Sequence, residues 1–175
     1  MQPITVVASL LVAQAVMGAF DTFFNHEWRE RLPHQPWAGR ELALHAARSA
    51  HYTILFAGIA FFDWHGLWSW ILLGVMSLEY LVTIADAVAE DRTRRLSSVE
   101  RTNHMLLALN TGLYMAFFAA QMALAWHELP TALVPANRPW PLVLLLTVSA
   151  LATAVWVARD AVAARRIANA PLLSG

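Results

Sequence analysis

The chain has 175 residues, of which 58% are hydrophobic and 14% are charged, and its formal net charge is zero. This composition is too apolar for an ordinary soluble domain, and a neutral chain carries no basic footprint for nucleic acid. The chain contains no cysteine, so any metal must be held by histidine, aspartate, glutamate or backbone oxygen. We therefore expect an all-α integral membrane protein.

Five stretches have the roughly 20 apolar residues that a helix needs to cross a hydrocarbon core about 30 Å thick. They are residues 4–24, 41–64, 67–90, 100–126 and 140–163. The connections after the second and third spans are short, so neighbouring helices are expected to run antiparallel. Because no repeat or linker interrupts the pattern, residues 1–175 are expected to form a single transmembrane helical domain.

The predicted orientation rests on arginine, because the chain has no lysine. With five spans, eleven of the twelve arginines fall on one side and only Arg138 falls on the other. Arginine-rich loops remain on the cytoplasmic side of a membrane. The sequence therefore predicts an N-terminus outside and a C-terminus in the cytoplasm.

Polar residues interrupt the first four spans, close to the end predicted to be cytoplasmic. Residues four, seven or eleven apart share one face of a helix. The polar stripes at this spacing are Gln14, Asp21 and Asn25; Glu41, His45, Arg48 and Tyr52; Glu79, Thr83, Asp86 and Glu90; and Glu100, His104 and Thr111. A charged side chain that faces lipid is costly, so we expect these four helices to form a bundle around a polar site. The fifth span has no such stripe and is expected to be peripheral.

Carboxylates and imidazoles gathered in this way are ligands that iron, zinc and manganese accept. The predicted metal ligands are Asp21, Glu41, His45, Asp86, Glu90, Glu100 and His104. The residues expected to orient them through hydrogen bonds are Asn25, Arg48, His51, Tyr52, Glu79, Thr83 and Asn103. Two histidines of the loop after the first span, His26 and His34, are further candidates.

The order of the ligands favours two metal ions. The first and third spans supply a carboxylate, and the second and fourth supply the pairs Glu41 with His45 and Glu100 with His104. This order is similar to the ligand arrangement of di-iron carboxylate bundles, in which the pair is Glu-x-x-His. Here the pair is Glu-x-x-x-His, so the similarity concerns the ligand arrangement and not a family.

The sequence therefore favours a membrane metalloprotein with two iron ions, and zinc or manganese could take the same ligands. With iron, the expected activity is that of an oxidoreductase of the hydroxylase or desaturase type. Its substrate would be a membrane lipid or another lipid-soluble small molecule, and an electron-donor protein would be a partner.

Three other functions fit the same residues. A b-type haem held between His45 and His104 would make the chain a membrane cytochrome subunit. Zinc would make it a membrane hydrolase, because the ion polarises water. A polar network that only specifies helix packing would make it an accessory membrane subunit of a larger complex, without enzymatic activity.

Overall fold

The computed structural model describes residues 2–170. Residue 1 and residues 171–175 lie outside the described part. The predicted placement of the N-terminus outside and the C-terminus in the cytoplasm stays a prediction. The long helices are α1 (Pro3–Phe20), α2 (Gly39–Phe61), α3 (Leu67–Thr93), α4 (Ser98–Gln121) and α5 (Trp140–Ala168). Two short strands, β1 (Phe62–His65) and β2 (Ala132–Pro135), pair antiparallel.

Four helical segments are long and apolar enough to cross a membrane. They are Pro3–His34, Leu67–Thr93, Ser98–Trp126 and Trp140–Ala168. Helix α2 is less apolar because its first half carries a polar stripe, although its 23 residues extend over roughly 35 Å. The mostly helical fold with membrane-length helices is confirmed, whereas the crossing of a membrane by all five helices stays a prediction.

The five helices form a closed ring. In this ring α1 contacts α4, α4 contacts α3, α3 contacts α2, α2 packs along α5, and α5 contacts α1. The most apolar stretch of α5 is only 11% buried, less than that of the other three membrane-length segments, so the peripheral position of α5 stays a prediction. Small side chains allow the close approach of α2 and α5, since Gly39 lies against Ile167 and the hydroxyls of Thr53 and Thr153 are 2.9 Å apart.

The apolar core occupies the half of the bundle that ends at the paired strands β1 and β2, here called the strand end. Tyr114, Phe56 and Phe118 are among its largest fully buried side chains. Trp64 of β1 donates from its indole Nε1 to the carbonyl of Gly58 at 3.0 Å. A Cβ atom on Gly58 would lie 2.7 Å from the Trp64 ring, so glycine permits this contact.

Helix α1 continues into a π-helical segment, Asp21–Arg29. Its last turn closes with a hydrogen bond of 2.9 Å from the Glu30 amide to the carbonyl of Asn25, five residues earlier. A π turn takes in about one residue more than an α turn, and Asp21, Asn25 and His26 are all buried. In a continued α-helix, His26 would be rotated by roughly 140° from Asp21. The π segment therefore explains how both side chains enter the interior.

Candidate metal centre

Buried and part-buried ionisable side chains from four helical segments meet at the end of the bundle opposite the paired strands, here called the cluster end. Its members are His26, His45, His104, Asp21, Glu41, Asp86, Glu90, Glu100, Arg48 and Arg94. Each of the five carboxylates is at most 3% exposed. Against two guanidinium groups, the five carboxylates leave three uncompensated negative charges when the histidines are neutral. Such a surplus favours the binding of a cation.

Glu90 lies between the two Glu-x-x-x-His pairs. Its Oε1 is 3.9 Å from Nε2 of His45, and its Oε2 is 3.4 Å from Nδ1 of His104. The two oxygens of one carboxylate thus face imidazoles on two different helices. This is the geometry in which a carboxylate can bridge two metal ions.

Two overlapping groups of four side chains have ligand atoms that all lie within 4.8 Å of one another. The groups are His26 with Glu90, Glu100 and His104, and His26 with Glu41, His45 and Glu90. Five of these six residues are ligands that the sequence predicts. The sixth, His26, which the sequence gives as a further candidate in the loop after the first span, belongs to both groups, as Glu90 does.

Several potential ligand atoms have no hydrogen-bond partner within residues 2–170. They are Nε2 of His26, Nε2 of His45, Oε2 of Glu41, Oδ1 of Asp86 and Oε2 of Glu100. A buried acceptor that receives no hydrogen bond loses its hydration without replacement, which is costly. Four of these five atoms belong to residues of the two groups of four, where a cation could partner them. Asp86 belongs to neither group.

Arg94 contributes contacts that the sequence does not indicate. Its Nη2 donates to Glu100 at 2.6 Å, to Glu41 at 3.0 Å and to Glu90 at 3.5 Å. Burial opposes the charge on Arg94, but the hydrogen bonds to Glu100 and Glu41 outweigh it and raise the pKa of Arg94 above its usual value. All three glutamates belong to the two groups of four, so Arg94 would compete with a metal ion for them.

Asp21 and Asp86, which the sequence predicts as ligands, belong to neither group of four and instead contact histidines. Oδ2 of Asp21 is 3.0 Å from Nε2 of His104. Oδ2 of Asp86 is 3.2 Å from Nε2 of His45. Asp21 lies on the ring nitrogen of His104 that does not face Glu90, where a carboxylate can fix the orientation and tautomer of an imidazole that binds a metal. Asp86 instead lies on the same nitrogen of His45 that faces Glu90.

Two of the residues predicted to orient ligands join the cluster. Asn25 donates to Oδ1 of Asp21 at 2.7 Å, one π turn away. Arg48 donates to Oδ2 of Asp86 at 2.7 Å. Each therefore holds a carboxylate that in turn contacts a histidine, and neither reaches the groups of four directly.

A second polar network lies deeper, toward the apolar core. Glu79 accepts hydrogen bonds from Thr83 at 2.7 Å and from Tyr114 at 3.3 Å. Tyr52 accepts from Nε2 of Gln14 at 2.7 Å. The predicted residues Glu79 and Thr83 therefore bond to each other, Tyr52 bonds to Gln14, and none of the three belongs to the groups of four.

The remaining predicted residues lie away from the cluster. Nδ1 of His51 is 2.7 Å from the carbonyl of Ala47 in its own helix. Asn103 donates to the carbonyl of Met17 at 3.3 Å, just before the π segment. His34 is exposed. The side chains of His51 and Asn103 therefore contact main-chain carbonyls, and none of the three residues belongs to the groups of four.

A cavity of about 360 Å³ lies between α1, α2 and α5 and reaches the cluster. Its polar end is formed by Asp21, His26, His45 and Arg48. Its walls are mostly apolar and include Val12, Val16, Phe56, Leu145 and Val148. This volume lies within the range of small-molecule sites, which also combine apolar walls with a few polar groups.

A haem between His45 and His104 does not fit this arrangement. The carboxylate of Glu90 contacts both imidazoles, so the space between them is occupied by a charged group. A haem with two axial histidines needs a flat gap there. The residues at the cluster end suit metal ions and not a porphyrin.

No protein family, curated protein or solved structure matches this chain. The similarity to di-iron carboxylate bundles therefore remains a similarity of ligand order, with a different spacing within each Glu and His pair. The function has to be inferred from the side chains of the cluster end and from the cavity beside them.

Proposed function

We propose that this chain is an integral membrane metalloprotein that holds divalent transition-metal ions at the cluster end and oxidises a lipid-soluble substrate. The observation that carries the proposal is the position of Glu90, which turns one oxygen toward His45 and the other toward His104. Each of these histidines lies one turn from a glutamate of the same group, Glu41 or Glu100.

The ligand count supports up to two ions. An imidazole nitrogen has one lone pair, whereas a carboxylate has two oxygens, so Glu90 can serve both ions and His26 only one. One ion would take Glu41, His45 and Glu90, the other would take Glu100, His104 and Glu90, and His26 would complete either. Three protein ligands that leave an open position are typical of catalytic metal sites.

The charge and the donor type favour iron. Two divalent ions would more than offset the three uncompensated negative charges of the cluster. A ligand set rich in carboxylates suits iron or manganese better than zinc, which prefers nitrogen and sulfur. Bound iron would supply redox chemistry, and such an oxidation would need an electron-donor protein, which is part of the proposal. Bound zinc would instead support hydrolysis.

The chain's own residues would place the substrate beside the metal ligands. His26 and His45 belong to the groups of four and also line the cavity. The apolar walls of the cavity would exclude water and hold a hydrophobic molecule. Asp21 would keep the imidazole of His104 in one orientation.

Metal analysis tests the proposal. We expect the protein purified without chelators to contain a transition metal at close to stoichiometric amounts by plasma mass spectrometry. A His45→Ala, His104→Ala double variant should contain none, because each group of four loses one histidine. His34 and His127 are both exposed, so a His34→Ala, His127→Ala double variant should retain the metal. A metal-free wild type would overturn the proposal.

Arg94 supports a second candidate function, that of an accessory membrane subunit without enzymatic activity. Its contacts with three glutamates already partner part of the negative charge that a metal would neutralise. In this case the polar network specifies helix packing, and the His45→Ala, His104→Ala variant would lose stability while the wild type contains no metal. The same metal analysis therefore separates the two functions.

A further inference from the structure

Two hydrogen-bond donors beside the cavity between α1, α2 and α5 have no partner within residues 2–170. They are the indole Nε1 of Trp156 and the guanidinium Nε of Arg48, and both residues line the cavity. Each of these groups can donate but cannot accept. Because an unpartnered buried donor is costly, a ligand of this cavity is expected to present an acceptor oxygen.

The two donors lie at nearly the same depth in the bundle. Helices α2 and α5 run antiparallel, with Gly39 against Ile167 and Thr53 bonded to Thr153. This register places Arg48 level with residue 158, about 3 Å along the helix axis from Trp156. Both donors therefore belong to one region of the cavity, about one helical turn from His45.

The charges around the cavity disfavour an anionic ligand. Three carboxylates line it, those of Asp21, Glu27 and Asp160. Arg159 is already paired with Glu27 and Asp160, and Arg48 is paired with Asp86. With no surplus of positive charge, a carboxylate or phosphate headgroup would meet a negative environment.

We propose that this cavity binds a neutral, lipid-soluble carbonyl compound. Its oxygen accepts hydrogen bonds from Trp156 and Arg48, and its apolar body lies along Val16 and Val148. An alkyl-substituted benzoquinone and a fatty acyl ester both have this chemistry. The inference deepens the proposed function by naming the substrate class, and it rests on that function only for the role of the ligand as a substrate.

Glycine 18 offers a way to close the cavity. Gly18 lines the cavity, and a Cβ atom built on it would meet no heavy atom within 4 Å. A Gly18→Leu side chain can therefore extend into the cavity without a backbone clash. Gly74 of α3 has equally open surroundings and does not line the cavity, so Gly74→Leu is the matched control.

A second pair of variants tests the donor. Trp156→Phe removes the indole N–H and keeps an aromatic ring in the wall. Trp140→Phe makes the same change at an exposed position of the same helix. Because neither substitution touches a residue of the groups of four, both variants should retain the bound metal.

Binding is measured by native mass spectrometry on the protein as purified without chelators, in detergent micelles. The probes are decyl-benzoquinone and methyl palmitate, with hexadecane lacking an acceptor oxygen and palmitate carrying a charge. We expect one probe of the first two to bind at one molecule per chain. Gly18→Leu should weaken it about tenfold or more, and Trp156→Phe should weaken it about fivefold. Gly74→Leu and Trp140→Phe should leave it unchanged.

Several outcomes would overturn the inference. They are unchanged binding in Gly18→Leu, failure of both carbonyl probes to bind, unchanged binding in Trp156→Phe, and binding of hexadecane or palmitate as tight as that of the carbonyl probes. Metal content is measured on the same preparations. A metal-free protein that binds the probe contradicts only the proposed function, and a metalloprotein that does not bind it contradicts only this inference.

Discussion

Each end of the bundle has an arginine with a buried side chain, and the two arginines differ in how many of their hydrogen-bond donors have a partner. At the strand end, Arg138 donates to Asp63 at 2.6 Å, to the carbonyl of Ile59 at 3.0 Å and to that of Phe62 at 3.4 Å. At the cluster end, Arg94 serves three glutamates, and its own Nε and Nη1 have no partner within the described residues. No nitrogen of Arg138 is buried without a partner, whereas two nitrogens of Arg94 are.

The contrast extends to every buried side-chain nitrogen or oxygen without a partner in residues 2–170. All of these atoms lie in the half of the bundle that holds the cluster, and none lies at the strand end. Folded proteins partner nearly all of their buried polar groups. A concentration of exceptions in one region is consistent with the proposed metal site, and pairing at the other end is consistent with a structural role.

The largest expected effect is that of Glu90→Gln. A glutamine can offer only one acceptor oxygen, so the bridge between the two Glu-x-x-x-His pairs is lost and we expect metal affinity to fall about 100-fold. Chelator competition with zinc as a redox-silent probe measures this change. Glu79→Gln, also buried on α3 but bonded to Thr83 and Tyr114, is the control. Equal losses in both variants would contradict the bridging role.

The next largest effect is a loss of stability at the strand end. Arg138→Met leaves Asp63 and two backbone carbonyls without their donor, and we expect the free energy of unfolding to fall by about 2 kcal/mol. Unfolding in mixed micelles provides the measurement. Arg165→Met, at an exposed position near the end of α5, should have little effect. If Arg138→Met lost the metal while its stability stayed unchanged, the structural role of the strand end would be contradicted.

Arg94→Gln should act in the opposite direction on the metal. Removing a guanidinium that competes for three glutamates should tighten zinc binding about tenfold, or about 1.4 kcal/mol, while the metal-free protein becomes less stable. Arg95→Gln changes the exposed neighbouring residue and should leave both quantities unchanged. A loss of stability without any gain in metal affinity would favour the structural network.

The smallest expected effect comes from the start of α4. Ser97 caps this helix, its Oγ accepting from the amide of Glu100 at 3.1 Å, and Ser97→Ala should lower the free energy of unfolding by about 1 kcal/mol. The same assay on Ser98→Ala, an exposed residue inside the helix, should show a smaller change. An equal change in both variants would contradict the capping role.

Part of the candidate site could be predicted because helical periodicity is local. Glu41 with His45, and Glu100 with His104, share a helix face at any place in the bundle, and burial of charge requires those faces to meet. The structure brings all four residues to Glu90. Whether they bind a metal stays a prediction.

Other parts could not be predicted, because they depend on departures from that periodicity. The α-helical spacing turns His26 away from Asp21, and only the π segment brings both into the interior. Arg94 lies beyond the end of α3, where the path of the connection decides which side chains it reaches. The sequence offers His26 as a further candidate ligand together with His34 and cannot choose between them, and it gives no signal for Arg94.

The sequence by itself determined a mostly helical chain with membrane-length segments and polar stripes on four of them, because composition and helical pitch act over a few residues. Only the tertiary structure decided that α5 packs beside α2, that a cavity opens between them and α1, and that Arg94 shares the glutamates. These features depend on which helices become neighbours and in what register. That choice is made by the packing of small residues such as Gly39 and Thr53 against α5, which no local pattern encodes.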